Sequence, residues 1–147
     1  MDSLVKELAK EGKSLMGICL GMQLLFDRSF EYGEHAGLGL IPGDIVPLRG
    51  AVSDDLPIPQ MGWNSLQFQN RSCPVFRDTK EGDYVYFVHS FYAAHCEDAV
   101  VCTVDYSIPV TAAVCKGNVI GCQFHPEKSG EVGLRILKNF CEMEQTL

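Results

Sequence analysis

The spacing of apolar positions changes several times along the chain, and each change marks an element. In residues 3–10 (SLVKELAK) Leu4, Val5 and Leu8 share one side of a 3.6-residue repeat, and Gly12 supplies a stop, so the chain is predicted to open with a helix. SLMGI is an unbroken apolar run of strand length. After Cys19, LGMQLLFDRSF reads as a helix. Strand, sharp turn and helix make the first half of an α/β unit. Residues 31–50 are glycine-rich and loop-like apart from the short strand DIVPL, and residues 51–60, with Asp54, Asp55, Pro57 and Pro59, read as a surface loop. MGWNSLQF alternates and is expected to be extended, and residues 70–82 suggest a turn with a short helical piece. DYVYFVHSF is the strongest strand signal, being rich in aromatic and β-branched residues, and AVVCTVDY is another. TAAVCKGNVIGCQF predicts a hairpin turning at Gly117-Asn118. After HPEKSG, residues 131–143 predict a helix with Leu134, Leu137 and Cys141 toward the core. Strands fill the middle and helices flank the ends, which points to the α/β class, a mixed sheet flanked by helices.

Bulk properties narrow the function. At 147 residues the chain is expected to form one domain spanning 1–147, large enough to bury a core. No repeat, linker or low-complexity tract interrupts it. The net charge of −7 and a pI near 5.0 leave no basic stripe for nucleic acid and no attraction to anionic membranes. Seven cysteines occur, an odd number with no CxxC pair, and residues 1–11 lack the apolar core of a secretory signal. A reduced, cytoplasmic protein is the natural reading, with six of the cysteines serving as small buried hydrophobes.

The seventh, Cys19, sits in Gly17-Ile18-Cys19-Leu20-Gly21, a GxCxG segment between a predicted strand and a predicted helix. This is the cysteine form of a nucleophile elbow. Two glycines would let the backbone turn sharply, and the positive end of the following helix would lower the thiol pKa. A buried structural cysteine beside a packing glycine is the alternative, and this motif alone does not separate the two. His125-Pro126-Glu127 follows the strand VIGCQF. A cysteine nucleophile needs a base that takes its proton and later protonates the leaving group, and the base needs a partner on its other ring nitrogen. His125 and Glu127 suit these roles. Of the remaining histidines, His35 lies in a glycine-rich loop and is expected to be exposed. His89 ends a strand and either lines the site or is a hydrogen-bonded core residue. His95-Cys96 lacks partners at zinc spacing, so no metal is expected.

GICLGMQLLF together with CQFHPEKS resembles the class I, triad-type glutamine amidotransferases. PQMGWNSL, YFVHSFY and GLGLIPGDIVPL narrow the likeness to the glutaminase subunits of imidazole glycerol phosphate synthase, over nearly the whole chain. The resemblance implies a flavodoxin-like glutamine amidotransferase fold and hydrolysis of L-glutamine to glutamate and ammonia. The ammonia would pass to a partner cyclase subunit, in a heterodimer, for histidine biosynthesis; no cofactor is implied. It assigns Cys19, His125 and Glu127 to the catalytic triad, and Gln23, Ser90 and Phe91 to substrate binding. It also gives the backbone N–H of Leu20 to the oxyanion, and Trp63, Asn64, Tyr86 and Lys128 to the cyclase interface. At Phe91 the family often has tyrosine.

The nucleophile arrives at residue 19, where the resemblance leads one to expect preceding strands and a glycine-rich oxyanion loop, so the fold is expected to be N-terminally incomplete and the chain to have weak or no activity alone. Three other readings remain: an amidotransferase serving guanylate, anthranilate or carbamoyl phosphate synthesis, a non-catalytic binding subunit, and a cysteine peptidase. The first would not be expected to carry MGWN with YFVHS.

Overall fold

A computed structural model describes residues 2–146. The elements are α1 (Asp2–Lys10), β1 (Leu15–Ile18), α2 (Leu20–Gln23), β2 (Phe26–Ser29), β3 (His35–Ala36), β4 (Ile41–Pro47), β5 (Gln60–Ser65), β6 (Gln67–Phe68), β7 (Tyr84–His89), β8 (Phe91–Ala94), β9 (Val100–Asp105), β10 (Pro109–Lys116), β11 (Val119–Cys122) and α3 (Gly130–Thr146). Short 3-10 turns at Pro74–Phe76, Glu97–Ala99 and Pro126–Lys128 join some of them. Among the described residues no helix is long and apolar enough to cross a membrane.

Five strands form the central sheet in the order β1-β11-β10-β9-β6. β10 and β11 are the expected hairpin, turning at Gly117 with φ +60°. β1 lies parallel to β11, with Ile18 beside Cys122, so the next residues, Cys19 and Gln123, emerge at the same end of the sheet. Val101, Cys102 and Val104 of β9, and Val110, Ala112, Ala113 and Val114 of β10, are buried, because both faces of the sheet are covered. One face carries Phe76, Phe87, Phe124 and Ile136, with Phe87 and Phe124 edge to face at 5.9 Å. The opposite face carries Met22, Phe26, Ile41, Ile45 and Val114. The second layer there is largely a four-stranded sheet, β3-β2-β4-β8, rather than helix. A two-stranded ribbon, β5-β7, completes the fold.

Two local expectations are corrected. The helix after Cys19 lasts only four residues, and Phe26–Ser29 is a strand. The cause is competition for backbone carbonyls: Leu38 N–H bonds to Leu24 O, Gly39 to Phe26 O, and Leu40 and Ile41 to Leu25 O. The returning loop therefore takes the acceptors that a continuing helix would use. In α3 the core-facing side is buried Ile136 and Asn139 with half-buried Val132 and Phe140 packed beside them, whereas Leu134 and Cys141 are exposed and Leu137 is half-buried. Both stripes are apolar, but only Gly133 permits contact with the preceding turn, since a Cβ there would stand 1.8 Å from Pro126 O. That contact selects the Val132–Ile136 side. The amino-terminal helix forms as expected and closes at Gly12, although it buries no residue.

Candidate active site

Cys19 is the junction between β1 and α2. Its N–H extends the β1–β11 ladder to Cys122 O at 2.8 Å, and its carbonyl accepts the first helical bond from Gln23 N–H at 3.2 Å. To serve both elements it adopts φ 55°, ψ −110°. This region is costly for a residue bearing a Cβ, and such strain clusters at functional sites. The sharp turn is thus taken by the cysteine itself rather than by its glycines. Gly17 has another duty: a Cβ on it would meet Gly21 O at 2.4 Å and Met22 N at 2.7 Å. Gly21 faces open space.

The sulfur is half-buried at an open cleft of about 240 Å³ lined by Leu20, Gln23, Glu31, Val88, His89, Ser90 and Phe91. Sγ donates to Val88 O at 3.8 Å and lies 3.8 Å from Gln123 Nε2. Burial pushes the thiol pKa up, and the Leu20 N–H and Gln123 amide only partly offset it. The expected lowering by the helix end is therefore corrected: four residues make a weak dipole, and desolvation exceeds it.

His125 lies beyond β11 at the sheet end that presents Cys19. Its N–H bonds to Tyr86 O at 3.0 Å, and Ser129 Oγ donates to its carbonyl at 2.6 Å. Its Nδ1 is 2.9 Å from Glu127 Oε2. A carboxylate only accepts, so Nδ1 is the donor, and in the neutral ring this tautomer leaves the lone pair on Nε2. Burial opposes ionisation of Glu127, but the His125 hydrogen bond and a backbone N–H outweigh it and hold the carboxyl below its usual range.

Gln23 is buried beneath the cleft, with Nε2 donating to Phe91 O and to Gln123 Oε1, each at 3.1 Å. Ser90 and Phe91 border the same cleft. His89 is buried, its ring spanning Phe91 O at 2.8 Å and Gln60 Oε1 at 2.9 Å, and burial lowers its pKa. Both readings of this histidine hold, since it is a bonded core residue that also lines the cleft. Glu31, a carboxylate in the cleft wall, and Gln123 were not singled out from the sequence. Glu31 lay in a stretch read as loop, and Gln123 was hidden inside the motif that supplies His125.

The four residues assigned to an interface are not all alike. Trp63 and Tyr86 are register partners across β5–β7, their rings edge to face at 5.9 Å. Met61, Trp63 and Tyr84 are exposed on this ribbon. Lys128 is exposed next to Glu127. Asn64 is half-buried, its Oδ1 accepting from Gln60 Nε2 at 3.1 Å. Of the cysteines read as buried, Cys73, Cys96, Cys102 and Cys122 are so, Cys115 is half-buried and Cys141 is exposed.

The family model for class-I glutamine amidotransferases matches residues 1–143. The chain is 52% identical over 145 residues to imidazole glycerol phosphate synthase subunit HisH of Wolinella succinogenes, covering 97% of this chain and 70% of that protein. It is also 52% identical over 138 residues to the subunit HisH of Bacillus cereus, covering 93% of this chain and 63% of that one. Among solved structures, PurLQS from Thermotoga maritima superposes with a TM-score of 0.72 at 23% identity, over 97% of this chain and 67% of that one. A glutamine amidotransferase from Thermotoga maritima gives 0.61 at 17% identity, over 99% and 54%. These two likenesses speak to the fold.

Proposed function

The chain belongs to the class-I glutamine amidotransferases, and on that premise we propose that it is a glutaminase subunit of imidazole glycerol phosphate synthase, with Cys19, His125 and Glu127 as its triad. The observation that carries the reading is the backbone of Cys19, bent to φ 55° so that its sulfur stands at the cleft that Gln23, Glu31, Ser90 and Phe91 also line.

The substrate L-glutamine enters this cleft with its side-chain amide toward Cys19. Glu31 is the charged group in the wall and meets the substrate ammonium. The Cys19 thiolate attacks the amide carbon, and the developing oxyanion takes the N–H of Leu20. His125, having received the thiol proton on Nε2, gives it to the departing nitrogen. The C–N bond breaks, ammonia leaves and a glutamyl thioester remains. His125 then removes a proton from water as the water attacks the thioester. Glutamate and the Cys19 thiol are restored. Glu127 holds the imidazole in the tautomer this sequence needs.

The ammonia passes to a cyclase subunit for histidine biosynthesis. The aromatic ribbon of exposed Trp63 and Tyr84 with half-buried Tyr86, and with Lys128 beside it, is the face that meets this partner, since such residues are favoured anchors. Asn64, turned to Gln60, acts there by holding β5.

The test is ammonia release from L-glutamine, with and without a cyclase subunit, comparing the parent with Cys19→Ser. Turnover confined to the parent, together with selective labelling of Cys19 by a glutamine-mimicking electrophile, is expected. Equal turnover by Cys19→Ser would overturn the assignment. Absence of turnover together with absence of selective labelling would favour a non-catalytic subunit.

A further inference from the structure

Gln123 is fully buried, and a buried amide is costly unless both of its ends are bonded. Its N–H on the main chain is used by Ala112 O at 2.8 Å. Its side chain leaves the sheet beside Cys19, because Ile18 and Cys122 are register partners one residue earlier.

The orientation of the amide follows from an anchor that cannot be reversed. Phe91 O is a main-chain carbonyl and only accepts, so the Gln23 atom 3.1 Å from it is the nitrogen. That same nitrogen lies 3.1 Å from Gln123, which must therefore present its oxygen to Gln23. The Gln123 nitrogen is then turned to Cys19 Sγ, 3.8 Å away. The sulfur thus stands between one acceptor, Val88 O, and a side-chain donor whose direction is fixed by the chain Phe91–Gln23–Gln123. As a thiol it donates to Val88 O. As a thiolate it has nothing to donate and needs donors.

We propose that Gln123 is a donor to the Cys19 thiolate, locked in that role by Gln23, and so sets the fraction of nucleophile available in the amide-cleaving reaction. The assignment deepens the proposed function and rests on Cys19 being its nucleophile. It also gives Gln23 two duties, one in the cleft and one beneath it. The direction of the effect agrees with the electrostatics of the sulfur, where burial raises the pKa and the Gln123 contact opposes it. A glutamine that merely filled space under the cleft would affect folding or substrate affinity and leave the sulfur's titration alone.

The test is the pH profile of Cys19 alkylation by iodoacetamide in the full chain, followed on the Cys19 peptide by mass spectrometry so that Cys141 does not interfere. No glutamine turnover is needed, so the result is readable whether or not the chain proves to be a glutaminase. Gln123→Met keeps the length and loses the donor. Gln123→Glu keeps an acceptor for Gln23 and turns an oxygen to the sulfur. The alkylation midpoint is expected to rise by about half a pH unit or more in the first, and by at least about one unit in the second, a tenfold loss of thiolate at neutral pH. The midpoint is the proper readout, because a more basic thiolate is intrinsically more nucleophilic and masks part of the change in rate. Gln23→Met frees the Gln123 amide to turn and is expected to raise the midpoint as well, which supplies the same reading if neither Gln123 variant folds. A parental midpoint in a folded variant, judged by its circular dichroism and thermal transition, would overturn the proposal even if glutamine turnover had fallen.

Discussion

A Cβ placed on Gly17 would stand 2.4 Å from the carbonyl oxygen of Gly21, whereas one placed on Gly21 would meet nothing within 4 Å. The two glycines of the elbow are therefore unequal. Gly17→Ala forces backbone against backbone beneath the nucleophile and is expected to cost several kcal/mol, on the order of other severe core clashes. Gly21→Ala lies in a helical turn with open space and is expected to be neutral or to stabilise by up to about 1 kcal/mol. Urea unfolding of the two variants checks the contrast, and similar midpoints would contradict it.

The elbow shows what the sequence disclosed and what it concealed. Strand, cysteine and turn were legible because GxCxG interrupts an apolar run, and the β10–β11 hairpin was legible at Gly117-Asn118. The end of α2 was not, because Leu24 and Leu25 remain good helix formers and their carbonyls are claimed by residues 38–41, a long-range event. The buried face of α3 was hidden for a similar reason, with two apolar stripes separated only by Gly133 against Pro126. Cys19, Gln23, Ser90 and Phe91 were identified by motif and share one cleft. Glu31 entered the cleft through the fold alone. Cys19's raised pKa was missed because desolvation depends on Val88 and Phe91, which are distant in sequence.

Gly133→Ala places a methyl group where Pro126 O now sits. The helix must withdraw, and the turn carrying Glu127 and Ser129 moves with it, because Ser129 Oγ ties that turn to the His125 carbonyl and to Tyr86 N–H. Loss of both stability and glutamine turnover is expected. Near-parental turnover in a folded variant would show that the helix does not set the position of His125.

Trp63 is 52% exposed, so Trp63→Ala leaves little cavity behind. Stability is expected to change by less than about 1 kcal/mol. Affinity for the cyclase subunit is expected to fall by about 30-fold, the loss of a central aromatic anchor worth roughly 2 kcal/mol. Calorimetric titration measures both partners directly. An unchanged Kd would move the docking surface off this ribbon.

Glu127→Gln removes the charge that holds the His125 proton on Nδ1. The amide can present either end to the ring, so part of the population carries the wrong tautomer. A fall in kcat between about 10-fold and 10⁴-fold is expected, with KM for glutamine little changed, since Glu127 is absent from the cleft lining. An altered KM with parental kcat would assign this carboxylate to binding instead.

Alkaline pH is expected to weaken the fold itself. Burial pushes Cys96 up to about 11, and raises Cys102 and Cys122 as well. An unfolded thiol loses its proton near pH 8.5, while these three keep theirs in the folded chain. The folded state then binds more protons than the unfolded one, so their contribution is complete below about pH 8.5 and is lost as the pH rises toward the folded values. Urea midpoints between about pH 7.5 and 10.5 are expected to fall steadily above pH 8.5, and less steeply in Cys96→Ala, which has one fewer thiol to titrate. A flat profile in the parent would mean that these thiols titrate alike in both states, and that their apolar surroundings admit water.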